Sequence, residues 1–178
     1  MGTEWPWKAT NENYKSGTEL IGILIETRAK GGNLLLNIGP KPDGEIAIEQ
    51  ESRLREIALW NFVNGESLKG VRPWVITNEN DIWFTRRKYA NTVYAFLTKM
   101  TPWKLGEPKT IALRSVRATA QTQVTVLGQS DQIVEYRAEA LRLLREDLGD
   151  EYVDTLIRAT YAAALRLVPM TSRSRRPS

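Results

Sequence analysis

The stretch Gly31–Gly44, with the sequence GGNLLLNIGPKPDG, decides the fold of the first part of this chain. Within it, the predicted strand Asn33–Ile38 is built around the apolar run of three consecutive leucines, Leu34–Leu36, which is typical of a parallel strand covered by helices on both faces. Gly39 and Pro40 end the run, and a turn follows in which Asp43 is expected to bond its own backbone. The sequence therefore predicts a buried strand between two sharp breaks.

Helices are predicted on both sides of this strand. The segment Ser16–Lys30 opens with Ser-x-x-Glu, in which Ser16 can cap the amide of Glu19. A second helix is predicted at Ile48–Asn64, with acidic residues in its first turns. Helix, strand and helix form part of an α/β fold, but a single strand would leave its backbone groups unpaired. We therefore expect that the chain begins inside a domain.

From Val71 the apolar pattern changes to a period of two. The short runs that follow are WVIT, DIWFTRR, NTVYAFLT, KTIALRSV and TQVTVLG. Their β-branched and aromatic residues, separated by turn sequences, predict an antiparallel β-sandwich. The same pattern fits a non-catalytic module that binds carbohydrate or protein, because a fold does not fix a function. The pattern therefore fits both a sandwich that is part of an enzyme and a stand-alone binding module.

The composition changes again at Arg137. The segment 137–178 contains no lysine and is rich in leucine, alanine and arginine. Its leucines recur at helical spacings, which predicts a divergent helical tail with a disordered basic end. The predicted domains are therefore 1–70 with the helix–strand–helix unit, 71–136 with the β-sandwich, and the tail 137–178.

The composition also excludes several kinds of chemistry. The 178 residues include no cysteine and no histidine, which excludes disulfides, Cys or His nucleophiles and the usual zinc sites. The net charge of +4 is modest and its basic residues are spread along the chain, so we expect no nucleic-acid partner. No apolar run approaches the roughly 18 residues that a bilayer requires, and we expect no membrane partner.

Several stretches of this sequence together resemble a known family. YKSGTELIGILIETRAKGGNLLLNIGPKPDGEI, EQESRLREIALWNFVNGESLKGVRPW and the later runs closely resemble the C-terminal part of bacterial α-L-fucosidases of glycoside hydrolase family 29. The resemblance implies that Asn33–Ile38 is the last strand of a (β/α)₈-like barrel and that a β-sandwich follows. It also implies a retaining hydrolase, which removes terminal α-L-fucose from glycoconjugates or polysaccharides without a cofactor.

The family's catalytic carboxylates are expected outside this chain. A retaining glycosidase needs two carboxyl groups about 5 to 5.5 Å apart. The resemblance places the nucleophilic Asp and the acid/base Glu upstream of the matching stretch, and Glu4 aligns downstream of the family's Trp-Glu pair. We therefore assign no catalytic and no metal-binding residue, and predict that this chain alone is an inactive C-terminal part of a fucosidase.

Three residues are candidates for substrate binding, and the expected partner is a fucosylated glycan. Asn37 would lie at the carboxyl end of the barrel strand, where ligands bind, or it would bond the backbone of a neighbouring segment. Trp5 and Trp7 precede it in a loop, where they would stack on a sugar or pack against the protein. We also expect self-association through the exposed edges of the sandwich.

Overall fold

A computed structural model describes residues 1–9, 13–98, 109–119, 122–128, 136–139, 152–157 and 164–169. Its regular elements are, in chain order, α1 Gly17–Ala29, α2 Ile48–Asn64, β1 Val71–Glu79, β2 Ile82–Arg87, β3 Val93–Leu97, β4 Lys109–Leu113, β5 Thr122–Val126, β6 Tyr136–Glu139, β7 Tyr152–Ile157 and β8 Ala164–Pro169. A 3₁₀ turn, Gly65–Ser67, joins α2 to β1. The two helices and the first five strands lie where the sequence predicted them.

Local signals explain where α1 begins and ends. The Ser16 side-chain oxygen accepts a hydrogen bond from the Glu19 backbone N–H at 3.1 Å, as the Ser-x-x-Glu pattern predicted. At the other end Gly31 has φ +85°, a left-handed conformation that glycine adopts without strain. The chain therefore leaves the helix where Gly-Gly follows it.

The strands form two antiparallel sheets that share a core. The first sheet has the order β1-β2-β3-β8-β5 and the second has the order β4-β7-β6. The core between them is formed by Phe84, Val93, Ala95, Leu97, Ile111, Leu113, Val116, Val124 and Val126. Trp74 Nε1 also donates to the Ser115 carbonyl at 2.9 Å, which ties β1 to the segment after β4. The predicted sandwich is therefore present.

A second core lies between the helices and the other face of the five-stranded sheet. It contains Ile25, Leu68, Val71, Tyr94 and Phe96, with Ile21, Leu24, Trp60, Trp83 and Leu127 packed against it. Because side chains alternate along a strand, β3 contributes to both cores and is buried throughout. The described residues thus form three layers, in which helices, the five-stranded sheet and the three-stranded sheet follow one another.

The structure corrects the predicted helical tail. Three stretches of the segment 137–178 are described there, and all three belong to strands β6, β7 and β8. β8 pairs with both β3 and β5, so it lies inside the first sheet and not at its edge. Its sequence, ALRLVP, alternates leucine with other residues in its middle, a pattern that a strand accommodates as well as a helix does. Pairing with two neighbouring strands decides between them.

The predicted strand at Asn33–Ile38 is also absent, since this described segment belongs to no strand. A strand needs a neighbour that satisfies its backbone groups, and none of the described strands pairs with this segment. Its backbone contact with the chain's first residues is the bond from the Met1 amino group to the Asn37 carbonyl. Leu35 is 86% exposed, so the apolar run is not buried on both faces.

Exposed apolar residues mark the first sheet's free edge. Val75 and Ile76 on the outermost strand β1 are 79% and 48% exposed. Pro73 and a shift of register before Asn78 interrupt this edge. Both features limit the pairing of the edge with another chain. Self-association through exposed edges stays a prediction. Among the helices that the structure describes, none has the length and hydropathy to cross a bilayer.

Candidate functional site

The first residues of the chain lie along Asn37–Gly39, where the sequence predicted a binding site. The Met1 amino group donates to the Asn37 carbonyl at 2.9 Å. The Asn37 side-chain Nδ2 donates to the Trp5 carbonyl at 2.9 Å. The structure therefore brings Asn37 and Trp5 together, and Asn37 does bond the backbone of a neighbouring segment, which was one of its two predicted roles. A role in sugar binding stays a prediction.

Close backbone contact fixes Trp7 at the same place. A Cβ atom added to Gly39 would lie 2.6 Å from the Trp7 backbone nitrogen and 3.0 Å from the Pro6 carbonyl carbon. Both neighbours are main-chain atoms, which cannot rotate away as the end of a side chain can. Glycine is therefore required at position 39 for the loop that carries Trp5 and Trp7 to approach.

Gln50 on α2 holds this junction from the other side. Its side chain is buried, accepts from the Gly39 N–H at 2.9 Å and donates to the Gly39 carbonyl at 2.9 Å. It also donates to the Tyr14 hydroxyl at 3.3 Å. The sequence analysis missed this residue. A polar residue on the inner face of a helix is the only sequence signal for it, and that signal does not reveal the partner.

Removing the Gln50 amide is expected to destabilise the protein. In Gln50→Ala the buried N–H and carbonyl of Gly39 lose their partner, which should lower the free energy of unfolding by about 1–3 kcal/mol. Urea unfolding followed by circular dichroism measures the change. Ser52→Ala on the exposed side of the same helix is the control, with an expected change within about 0.5 kcal/mol. Equal effects of the two substitutions would contradict the bridging role of Gln50.

An open groove of about 570 Å³ adjoins this junction. Its aromatic walls are Trp7 and Tyr14, and its remaining lining comes from Lys8, Ala9, Lys41, Glu45, Ile46, Ala47, Ile48, Glu49 and Glu51. Trp5, 66% exposed, lies two residues before Trp7 in the same loop. The groove thus combines aromatic and apolar surface with five charged side chains.

A short hairpin positions the charged groups of the groove. Pro40 and Ile46 form an isolated antiparallel bridge, and the Asp43 carboxylate accepts from the Glu45 N–H at 3.0 Å, which confirms the predicted turn role of Asp43. Lys41 and Glu45 form an ion pair at 2.9 Å. This hydrogen bond raises the pKa of Lys41 and lowers the pKa of the Glu45 carboxyl.

Two further carboxylates at this end of the molecule are engaged in ion pairs. Glu4 pairs with Lys8, and Glu51 pairs with Arg55 at 2.6 Å. The sequence does not predict Glu4 to be the acid/base, and the structure places it on the surface beside Lys8. Among the residues that the structure describes, no group of Asp and Glu side chains is arranged to hold a metal ion.

Comparison with known proteins identifies relatives of one kind. A family model described as alpha-L-fucosidase matches residues 1–66. The plasma alpha-L-fucosidase of Homo sapiens is 37% identical over 125 residues, which are 65% of this chain and 25% of the relative. The alpha-L-fucosidase of Branchiostoma floridae is 36% identical over 124 residues, covering 68% of this chain and 26% of the relative. The chain thus spans about a quarter of the curated relatives it matches.

Solved structures show the same fold over most of the chain. Alpha-L-fucosidase isoenzyme 1 from Paenibacillus thiaminolyticus aligns with a TM-score of 0.75 at 22% identity, covering 96% of this chain and 38% of that one. The Thermotoga maritima alpha-fucosidase in complex with fucose aligns with a TM-score of 0.71 at 22% identity, covering 94% and 38%. These alignments extend into the segment 137–178, which the sequence analysis had set apart as divergent. The family match, the curated relatives and the shared fold agree, and the chain belongs to the α-L-fucosidase family.

Proposed function

We propose that this chain acts as part of an α-L-fucosidase, a retaining hydrolase that removes terminal α-L-fucosyl groups from glycans. The named relatives are α-L-fucosidases, and one of the solved structures is a complex with fucose. This agreement favours a hydrolase over a non-catalytic binding module. The observation in this chain that supports the proposal most directly is the groove beside Gly39, which Trp7 and Tyr14 line.

In this proposal the chain contributes to binding but does not catalyse hydrolysis by itself. A general acid at neutral pH needs a carboxyl whose pKa is raised, whereas Lys41 lowers the pKa of the Glu45 carboxyl in the groove. Glu4 and Glu51 already pair with basic side chains. Of the carboxylates that line the groove, Glu45 and Glu51 are thus held in ion pairs that do not suit the general acid of the pair that retention requires.

The binding role is assigned to the aromatic loop and its support. Trp5 and Trp7 would stack on the apolar face of a sugar ring, as aromatic side chains do at such sites. Asn37 would hold the loop through its bond to the Trp5 carbonyl. Lys41, Glu45 and Glu49 at the rim would bond sugar hydroxyls.

Replacing Trp7 with alanine is expected to weaken binding of a methyl α-L-fucoside about fivefold, because the loss of one stacking contact costs about 1 kcal/mol. Titration calorimetry with the chain measures the dissociation constant, and release of 4-nitrophenol from its α-L-fucoside measures hydrolysis. We expect binding by the unsubstituted chain and no hydrolysis. Tyr89→Ala, which removes a 93% exposed aromatic side chain outside the groove, is the matched control.

Two results would contradict the proposal. Equal losses of affinity in the Trp7 and Tyr89 variants would show that the fucoside does not bind in the groove. Hydrolysis of the 4-nitrophenyl fucoside by the chain alone would show that its own carboxylates suffice, against the assignment of catalysis to residues outside it.

A further inference from the structure

Five exposed basic residues lie at one end of the β1–β2 hairpin, with Arg72 and Arg86 on the sheet face that carries Phe84 and Arg87 on the opposite face. This basic patch consists of Lys69, Arg72, Arg86, Arg87 and Lys88. The strand register sets Arg72 directly opposite Arg86. The Lys88 N–H donates to the Gly70 carbonyl at 3.1 Å, which brings the chain after β2 back against the start of β1.

The ion pairs of the described residues lie away from the basic patch. None of the five forms an ion pair with a residue in the described part of the chain, where the ion pairs lie at the N-terminal loop, the hairpin after Pro40 and the two helices. Glu79 lies at the far end of β1, where its carboxylate accepts from the backbone N–H groups of Arg114 and Ser115. The cations are therefore concentrated at one end of the hairpin.

The repulsion between the two opposed arginines lowers the stability of the protein, and the fold does not require this pair. Side chains directly opposite in an antiparallel pair have Cβ atoms about 4.5–5.5 Å apart, and like charges there are destabilising. Protection of a sheet edge explains a charge on the outermost strand β1. It does not explain Arg86, because β2 lies between β1 and β3. An anion held between the two guanidinium groups would remove their repulsion.

We infer that the basic patch binds an acidic polysaccharide through its sulfate or carboxylate groups. Planar guanidinium groups make paired hydrogen bonds to either kind of oxyanion, and the exposed Lys69 and Lys88 next to the pair add positive charge for a chain of repeated anionic groups. The choice of a polysaccharide rests on the proposed function, since the chain belongs to a family named for hydrolysing sugar linkages. The patch would hold an acidic glycan while the groove binds a neutral fucosyl unit.

The structure favours a polysaccharide over a nucleic acid. The basic patch is built from strand and turn residues of a hairpin whose second strand, β2, also pairs with β3, so it is not the free two-stranded ribbon that fits a DNA groove. The net charge of the whole chain is +4, which is modest for a nucleic-acid-binding protein.

The test measures binding of dextran sulfate, polygalacturonate, neutral dextran and duplex DNA to the chain at several salt concentrations. We expect binding of one or both acidic polysaccharides, weakening steeply with salt, and no binding of neutral dextran. Preference for dextran sulfate or for polygalacturonate identifies the anionic group. Arg72→Gln/Arg86→Gln should lower the affinity at least tenfold. Arg55→Gln, which removes an exposed cation on α2, should change it less than twofold.

A second measurement separates recognition from a structural role. Because the double substitution removes the repulsion between opposed arginines, it should raise the urea midpoint of unfolding at low salt while it weakens binding. Duplex DNA bound as tightly as the polysaccharides, no binding of either acidic polysaccharide, or equal losses in the double and Arg55 variants would each overturn the inference. None of these probes contains fucose, so a failure to bind them would not change the result of the fucoside titration. A failure to bind the methyl α-L-fucoside would likewise leave the result with the acidic polysaccharides unchanged.

Discussion

Phe84→Ala is expected to lower the free energy of unfolding by about 3–5 kcal/mol, the loss typical of a large aromatic side chain removed from a core. The Phe84 side chain is fully buried and lies in the core between the two sheets. Its removal leaves a cavity that both sheets line, and neither can close it without breaking strand pairs. Such a loss is a large fraction of the about 5–15 kcal/mol that stabilises a typical domain.

The same residue type at an exposed position provides the control. Phe62 on α2 is 90% exposed, so Phe62→Ala should change the free energy of unfolding by no more than about 0.5 kcal/mol. Urea unfolding monitored by circular dichroism measures both variants, and the spectrum without urea shows whether the Phe84 variant is folded. Similar changes in the two variants would refute the assignment of Phe84 to the inter-sheet core.

Gly39→Ala is expected to destabilise the protein by about 1–3 kcal/mol, the usual cost of forcing extra atoms into a packed site. The new Cβ would lie 2.6 Å from the Trp7 backbone nitrogen, so the loop that carries Trp7 must move away from Asn37–Gly39. The groove should lose its aromatic wall at the same time. We therefore expect weaker binding of the methyl α-L-fucoside together with a lower urea midpoint.

Gly22→Ala on α1 is the matched control, and its expected change has the opposite sign. No atom lies within 4 Å of a Cβ added to Gly22, and alanine in a helix interior is more stable than glycine by about 0.5–1 kcal/mol. Destabilisation by both substitutions would indicate that glycine-to-alanine changes are tolerated poorly throughout the chain. That result would contradict the specific requirement for glycine at position 39.

Elements with local signals were predictable from the sequence. The Ser16 cap, the acidic first turn of α2 and the two-residue period after Val71 are written into neighbouring residues, so the helices and the first five strands were found. The segment Asn33–Ile38 was not, because its apolar run indicates burial but cannot supply the neighbouring strand on which β structure depends. The strands from Tyr136 onward were missed for a related reason: pairing decided their structure, since β8 pairs with β3 and β5 and β7 pairs with β4 and β6.

In the candidate site, too, the residues near a recognisable motif were predictable and those that depend on tertiary contacts were not. Trp5, Trp7 and Asn37 were chosen from their positions around the Asn-Ile-Gly-Pro motif, and the structure brings them together. Gln50 escaped notice because its partner, Gly39, is eleven residues away and the contact depends on how α2 packs. The opposed pair Arg72 and Arg86 also required the register of the hairpin, since the two residues are far apart in sequence.

The alternation along β3 has a consequence for how the structure loses its order. Val93, Ala95 and Leu97 belong to the core between the sheets, whereas Tyr94 and Phe96 belong to the core beneath the helices. One strand backbone thus serves two hydrophobic interiors, and disorder in either withdraws support from the other. The helical layer and the sandwich are in this sense one cooperative unit, although the sequence pattern divides them at Val71.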